Sequence, residues 1–483
     1  MASSKRLTTG SIALCAGLLV SAASARAQVE VQALAPPDLF STPAGQTGLS
    51  GDLWKDASPG LVREALPKLA ARPLSPATAA LAHRVLATGA TGPDGVGTDP
   101  EMGAARASAL IALGDAAGAS AVLDRAPGVA TNADLSAAAA EAALIAGDDA
   151  KACAVGEALS VDRGGAYWLR LRAFCQALAG QHDAAQLTLN LAVQQAKDAD
   201  YARLMNALLA GTPGGAANLR NGVNYALSRK LGLDLQAAAA TASPALKPLV
   251  AAKGDVAALA GGTDLTAAQT SDLAFLRKAK GLPAFTDAAK GTIASIAAVV
   301  AADAPLQDPV LFARAALAAD DLTTAKAIRG KMTGDSIPNA DATELALLDA
   351  ALAAAEGRKG GQTLDRLIER GGLGGPKSPA QPAALILAAL GAEIGPDARA
   401  QFALFDPGKP AVSPARLAVL DVAAAARRQG EAAAVALSIS ADAGAAGPAP
   451  ADRARLVRAL LEAGLEADAR ALAVEGLLAL QVK

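Results

Sequence analysis

Short apolar runs that end in a glycine followed by a polar residue recur along the chain. Three of them read ALIALGD over 109–115, AALIAGD over 142–148 and CQALAGQ over 175–181. Apolar residues on neighbouring turns are typical of a buried helix face, and a glycine directly after them predicts the end of that helix. The sequence therefore predicts helices that end at Gly114, Gly147 and Gly180.

The spacing of these predicted turns is regular. Gly114, Gly147 and Gly180 are 33 residues apart each time, and Gly211 follows after 31. Nearer the C-terminus, Gly357 and Gly391 are 34 residues apart, as are Gly430 and Gly464, and Asp320 follows an apolar run without a glycine. Such spacing predicts repeated hairpins of two helices, each about a dozen residues long.

Small residues occupy matching positions in these units. Five residues after the turn residue stand Ala119, Ala152, Ala185, Ala325 and Ala469, and seven before it stand Ala107, Ala140 and Ala173. The distance between two packed helices depends on the side chains at their contact. These alanines are therefore predicted at the points where the helices of a hairpin cross.

Composition supports helices throughout. Of the 483 residues, 52% are hydrophobic but only 2% are aromatic. Sheets are enriched in Val, Ile, Thr and aromatic residues, whereas alanine, which is abundant here, is the best helix former. The predicted fold class is all-α.

The hairpin pattern resembles the tetratricopeptide repeat, a helix–turn–helix unit of 34 residues. The resemblance is clearest over 101–211 and 414–482, and it is degenerate, because Ala or Leu replaces most of the Trp, Leu and Tyr of the family's first helix. It implies a right-handed α-solenoid of stacked hairpins with a concave groove. Other helical-hairpin repeats, and glycines spaced by chance in alanine-rich helices, are the alternatives.

The N-terminus resembles a bacterial export signal. Lys5 and Arg6 precede an uncharged stretch, SIALCAGLLVSAA over 11–23, and Ala25 and Ala27 form a small-x-small cleavage site. A membrane anchor would need about 20 apolar residues. We therefore expect cleavage after Ala27 and a periplasmic or secreted protein that is not transmembrane.

The predicted organisation has five parts. They are a signal peptide (1–27), a proline-rich and poorly ordered arm (28–60), N-terminal repeats (61–222), an irregular helical segment (223–300) and C-terminal repeats (301–483).

Charge and motifs exclude several function classes. The 44 basic and 46 acidic residues leave no basic surplus of the kind that nucleic acid binding requires. The sequence contains no HExxH, CxxC, GxSxG or phosphate-binding glycine loop. We therefore predict a non-enzymatic protein without a metal or cofactor.

Two sets of residues are candidates for specific roles. Cys153 and Cys175 lie on helices that are neighbours in a stack, and an oxidising compartment would favour a disulfide between them; two buried free thiols are the alternative. Because the resemblance implies a groove lined by first helices, we place a candidate partner groove at Tyr167, Arg170, Phe174, Tyr201 and Met205. The alternative is that these large side chains fill gaps between helices.

The predicted function is a periplasmic or secreted scaffold that binds a protein or peptide partner of the cell envelope. The alternative is a peptidoglycan-associated enzyme or a glycan-binding accessory protein with a superhelical domain. The C-terminal residues 453–480 are still repeat-like, which disfavours a separate catalytic domain there. Partner identity and oligomeric state stay open at this point.

Overall fold

The structure is a computed structural model that describes residues 38–250, 265–332, 341–358, 361–406, 408 and 410–481. The predicted signal peptide (1–27) and the first part of the predicted arm (28–37) lie outside these residues, so the expected cleavage after Ala27 stays a prediction.

Every regular element in the described residues is helical. The first half of the chain forms α1 (Pro59–Ala71), α2 (Pro76–Ala87), α3 (Pro100–Ala112), α4 (Ala116–Leu123), α5 (Ala133–Ala146), α6 (Asp149–Ala158), α7 (Ala166–Leu178), α8 (His182–Gln195), α9 (Ala199–Ala210) and α10 (Gly222–Lys230). Short 3₁₀ turns occur at Val129–Thr131 and Ala239–Thr241. The all-α prediction is confirmed.

The second half continues in the same way. It forms α11 (Lys247–Val250), α12 (Leu265–Lys278), α13 (Gly281–Ala301), α14 (Pro309–Ala318), α15 (Leu322–Lys331), α16 (Ala342–Glu356), α17 (Gly361–Leu373), α18 (Ala380–Ala389), α19 (Arg399–Phe402), α20 (Pro414–Ala425), α21 (Gln429–Ala443), α22 (Pro450–Glu462) and α23 (Glu466–Ala479). A further 3₁₀ turn spans Gly444–Ala446.

The hairpin turns have a simple local cause. Gly147 ends α5 at φ +83°, a left-handed conformation that glycine adopts without steric cost, and the N–H of Asp148 donates to the carbonyl of Ala143 at 2.9 Å. The Asp148 side chain then accepts from the N–H of Lys151 and so caps α6. The glycine therefore ends one helix and the following aspartate begins the next.

The alanines that the sequence predicts at helix crossings lie in the protein interior. All eight of these alanines are fully buried: Ala107, Ala119, Ala140, Ala152, Ala173, Ala185, Ala325 and Ala469. At Asp320 the turn forms without glycine, at φ +63°, because aspartate is among the few non-glycine residues that tolerate this conformation.

The turn prediction is wrong at Gly430. The left-handed residue there is Arg427, at φ +53°, and Gly430 lies inside α21. A Cβ at Gly430 would stand 2.4 Å from the carbonyl oxygen of Leu53 and 2.7 Å from the ring of Trp54. The glycine is needed for this close approach, and its N–H donates to the Leu53 carbonyl at 3.0 Å.

The predicted disorder of the arm is wrong for residues 38–58. Phe40 and Trp54 are buried and meet edge to face, with ring centroids 6.2 Å apart. Leu39 and Leu53 are also buried. Burial of these two aromatic rings and two leucines contributes to ordering this proline-rich segment.

A buried arginine holds this segment in place. The Arg106 guanidinium, on α3, donates to four backbone carbonyls, those of Leu39, Thr42, Leu86 and Thr88. It also lies 5.5 Å from the centre of the Phe40 ring. Desolvation lowers the pKa of Arg106 to about 10, opposed by the charge of Asp38, so the side chain is still charged at neutral pH.

The arrangement of hairpins departs from the predicted solenoid. In a solenoid each repeat contacts only its neighbours along the chain. Here α1 packs against α21, and α2 packs against both α21 and α23, while α23 also packs against α16. The two ends of the described chain therefore share one hydrophobic core, which includes Val62, Leu86 and Leu437.

A second, smaller core lies within α5 to α10. It contains Leu144, Leu171, Phe174 and Leu204 and is built mainly from α5, α7, α9 and α10, with a smaller contribution from α8. The predicted irregular segment (223–300) contributes most of α10, then α11, α12 and most of α13, and turns over 231–246 join α10 to α11. Its residues 251–264 lie outside the described residues.

Among the described helices, α13 alone is long and apolar enough to cross a membrane by length and composition. This is weak support for a span, since buried core helices meet the same criteria. Phe285, Ile296 and Val299 of α13 are buried inside the protein, against α12 and α14.

Candidate functional site

The predicted partner groove is closed by packing. Phe174 on α7 and Tyr201 and Met205 on α9 are fully buried in the smaller core. The expectation that a groove would leave Phe174 and Tyr201 partly exposed is wrong. Together with Trp168 and several leucines of the same core, these large side chains fill the space between helices.

The other two predicted groove residues are half-buried, and both have partners. The Tyr167 hydroxyl donates to Glu141 at 3.4 Å, and burial together with the Glu141 charge raises the pKa of Tyr167. Arg170 donates to the carbonyl of Ala196 at 3.0 Å and lies 3.4 Å from Asp198.

Tyr201 joins these groups from the inside. Its hydroxyl donates to the Arg170 carbonyl at 3.0 Å, and the Arg170 guanidinium lies 5.5 Å from the Tyr201 ring centre. Rare residue types do gather here, as the sequence suggested, but they hold α7 to α9 and present no open surface to a partner.

Cys153 and Cys175 form a disulfide. Their sulfurs are 1.97 Å apart and their Cα atoms 5.7 Å apart, so the bond joins α6 to α7. A cavity of about 230 Å³ lies beside it, with Trp168, Arg163 and Arg172 among its lining residues.

Few side chains in the described residues are arranged as catalysis would require. His83 lies 2.8 Å from Asp115, and its side chain is exposed. The half-buried Glu141 carboxylate accepts from the Gly222 N–H at the start of α10 and from the Tyr167 hydroxyl, so its lone pairs serve partners within the protein. In the parts of the chain that the structure describes, no three His, Cys, Asp or Glu side chains group closely enough to hold a metal ion.

A cavity of about 460 Å³ lies where the two ends of the described chain meet. Arg84, Arg470 and Glu466 contribute charged groups to its lining. Arg84 is already paired with Asp468 at 2.5 Å. With acidic and basic groups of similar number, this cavity offers no clear charge preference to a ligand.

A smaller cleft has a better-defined character. We call it the α1–α20 cleft, a space of about 150 Å³ whose lining residues are Leu61, Glu64, Arg416, Val419, Ala434, Val435 and Ser438. Helices α1 and α20 form its two walls, and α21, which packs against both, forms its floor. Ala434 and Val435 make that floor apolar.

The basic side chains at one end of the α1–α20 cleft outnumber the acids they contact. Asp442 lies 3.4 Å from Lys68, 3.3 Å from Arg72 and 2.7 Å from Arg416. These contacts, the hydrogen bond from Arg416 first, lower the pKa of Asp442. Lys68 also pairs with Glu64 at 3.0 Å, so three cations meet two carboxylates.

Val419, an apolar residue of the α1–α20 cleft lining, is exposed to solvent. Val419 is 39% exposed, and Val422, one turn further along α20, is 61% exposed. Leu417 and Leu420, on another face of α20, are buried. The exposed valines could have been noticed in the sequence, because α20 carries apolar residues on a second face in addition to the face that packs in the core.

Comparisons with known proteins yield no match: no family model, no curated protein and no solved structure corresponds to this chain.

Proposed function

We propose that the protein is a non-enzymatic scaffold of the cell envelope that binds a peptide segment of a partner protein at the α1–α20 cleft. The observation that carries this proposal is the combination, at one place, of an apolar floor, the exposed Val419 and a basic end. Isolated exposed apolar residues are ordinary, whereas apolar residues that border a cleft are typical of interaction sites.

Charge identifies the kind of partner segment. The cluster of Lys68, Arg72 and Arg416 exceeds the negative charge of Asp442 and Glu64 by one unit. An acidic side chain or a C-terminal carboxylate at this end would balance the surplus and accept hydrogen bonds from arginine. The cleft volume of about 150 Å³ suits one aliphatic side chain of the same segment.

Export is the other part of the proposal. Its support is the charged, apolar and small-residue pattern of residues 1–27, with cleavage after Ala27. The disulfide between Cys153 and Cys175 agrees with an oxidising compartment. Mass spectrometry of the natural protein tests this part, and a chain that retains Met1–Ala27 would contradict it.

A photo-crosslinking amino acid at position 422 tests the binding site in cells. We expect a protein adduct from position 422 and none from position 404, where Leu404 is 84% exposed outside the cleft. A synthetic peptide covering the crosslinked segment should then bind the purified protein. Val419→Glu and Arg416→Glu should each weaken that binding at least about tenfold, as loss of an anchor or of a charge pair does.

Two results would contradict this proposal. One is equal crosslinking from positions 422 and 404, which would mean that the contact does not depend on the cleft. The other is recovery of peptidoglycan fragments in place of a protein adduct, which would favour the glycan-associated alternative.

A further inference from the structure

Helix α8 contacts the rest of the protein through one face only. Ala185, Leu189 and Ala192 are buried on that face, against α7 and α9. On the opposite face Leu187 is 64% exposed and Leu191 is 47% exposed. These two leucines are four residues apart and so lie together on one side of the helix.

The rest of the exposed α8 face carries no charge. It includes Gln186, Asn190, Gln194 and Gln195, and the Gln186 amide donates to the Asn190 side chain at 3.4 Å. Charged groups are depleted at the centres of protein interfaces, whereas Lys, Arg, Glu and Asp make up about 25–35% of an ordinary soluble surface. The central part of this face therefore has the composition of an interface.

Charges of opposite sign stand at its two ends. Asp183 lies in the first turn of α8, and Lys197 follows the end of the helix. Both are exposed, and neither side chain makes a hydrogen bond or ion pair with any residue that the structure describes. The midpoint between Asp183 and Lys197 falls within one residue of the midpoint between Leu187 and Leu191.

We propose that this face, which we call the α8 face, binds the α8 face of a second copy of the chain, with the two helices antiparallel. A twofold axis near residues 189 and 190 would bring Leu187 and Leu191 of the two copies together. The same axis places Asp183 of each copy opposite Lys197 of the other, so every contact occurs twice.

The charge order favours a copy of the chain over an unrelated partner. Along the α8 face an acidic residue is followed by apolar residues and then by a basic residue. When two such faces meet antiparallel, each acidic residue lies opposite a basic one. Charge complementarity of this kind selects the partner and sets the register. The contact is small, because a helix of 14 residues is only about 21 Å long. Stable complexes bury about 1,200–2,000 Å², so the dimer should form reversibly as protein concentration rises.

Sedimentation velocity of the purified mature protein over about 1 µM to 1 mM covers the affinity range of a weak dimer. We expect the wild type to shift from monomer to dimer within this range. Asp183→Lys and Lys197→Asp should each raise the dissociation constant at least about tenfold, because each places like charges together at both ends of the contact.

An equimolar mixture of the two single variants provides the decisive measurement. In a mixed dimer each end pairs opposite charges, so the mixture should associate at least about as tightly as the wild type. Leu187→Glu should abolish the dimer, whereas Leu404→Glu, at an exposed leucine outside this face, should leave it unchanged. Unchanged thermal melting of each variant shows that folding is not the cause.

The proposal is overturned if the wild type stays monomeric at the highest concentration. It is also overturned if the single variants associate as the wild type does, or if their mixture is as weak as either variant alone. None of these results bears on the α1–α20 cleft, because the two surfaces share no residue.

Discussion

The carboxylate of Glu475, close to the end of the chain, accepts a hydrogen bond at 2.6 Å from the backbone N–H of Ala77, 398 residues earlier. Ala77 lies in the first turn of α2, whose N-cap residue Ser75 does not cap the helix with its side chain. The carboxylate therefore supplies from α23 the acceptor that a helix N-terminus needs.

The same arrangement occurs at the first helix. Glu431, on α21, accepts from the N–H of Ser58 at 3.0 Å, and Ser58 is the N-cap residue of α1. Both glutamates are buried. Two helices from the C-terminal end of the chain thus cap the first two helices, which joins the ends of the described chain.

We predict that Glu475→Ala lowers the free energy of unfolding by about 3–5 kcal/mol, since Glu475 also pairs with buried Arg453 and its loss leaves that charge uncompensated. Urea denaturation measures the change. As a control, Asp421→Ala removes an exposed ion pair with Arg455 and should cost less than about 1 kcal/mol. Equal losses in the two variants would show that the buried pair has no special role.

The disulfide should contribute measurably to stability. Cys153 and Cys175 are 22 residues apart, and closing a loop of this size corresponds to about 3 kcal/mol in the unfolded-chain model. We therefore expect a reducing agent to lower the melting temperature of the wild type. The Cys153→Ser/Cys175→Ser double variant should melt at the lower temperature with or without the agent, and a further shift on reduction would contradict this account.

Phe174 should act in packing. Because it is fully buried, Phe174→Ala should lower the free energy of unfolding by about 3–5 kcal/mol. The exposed Leu404 is the matched control, and Leu404→Ala should change the free energy of unfolding by no more than about 0.5 kcal/mol. If Phe174→Ala left the free energy of unfolding unchanged, a packing role for Phe174 would be contradicted, and the predicted partner groove would again be a valid hypothesis.

Glu141 should make stability depend on pH. Desolvation raises the pKa of its carboxyl above the ordinary 4.5, against the hydrogen bonds from Gly222 and Tyr167, which lower it. The Glu141 carboxyl therefore stays protonated to a higher pH in the native state than in the unfolded state. Its contribution to the free energy of unfolding falls as pH rises above about 4.5.

Glu141→Gln removes this titration and keeps an oxygen that can accept from Gly222. We expect the free energy of unfolding of the wild type, relative to that of Glu141→Gln, to decrease from about pH 4 towards neutrality. Denaturant unfolding of both proteins at matched pH values measures the difference. A difference that is constant or that increases with pH would contradict the raised pKa.

Local features of the fold were predictable from the sequence. A turn such as Gly147–Asp148 depends on the conformational freedom of one glycine and on a side chain that reaches three residues ahead. The buried alanines, such as Ala152 and Ala185, followed from their fixed distance to those turns. Both kinds of inference use only short-range geometry along the chain.

Position 430 shows where that reasoning fails. The sequence alone presents Gly430 as another turn glycine, because nothing nearby reveals that Leu53 and Trp54 approach it from the other end of the chain. The candidate groove failed for a similar reason. An aromatic side chain such as Phe174 suits an interface or a core equally well, and only the positions of neighbouring helices distinguish the two.

The sequence by itself determined the helices, most of their hairpin turns and the small residues buried beside those turns, because these depend on short-range interactions along the chain. The tertiary structure alone decided that α1 and α2 pack on α21 and α23, that residues 38–58 are ordered, and that the α1–α20 cleft and the α8 face are left uncovered. The physical reason is the abundance of alanine. Alanine-rich faces are nearly alike in size and shape, so they do not reveal in sequence which distant helix each will meet.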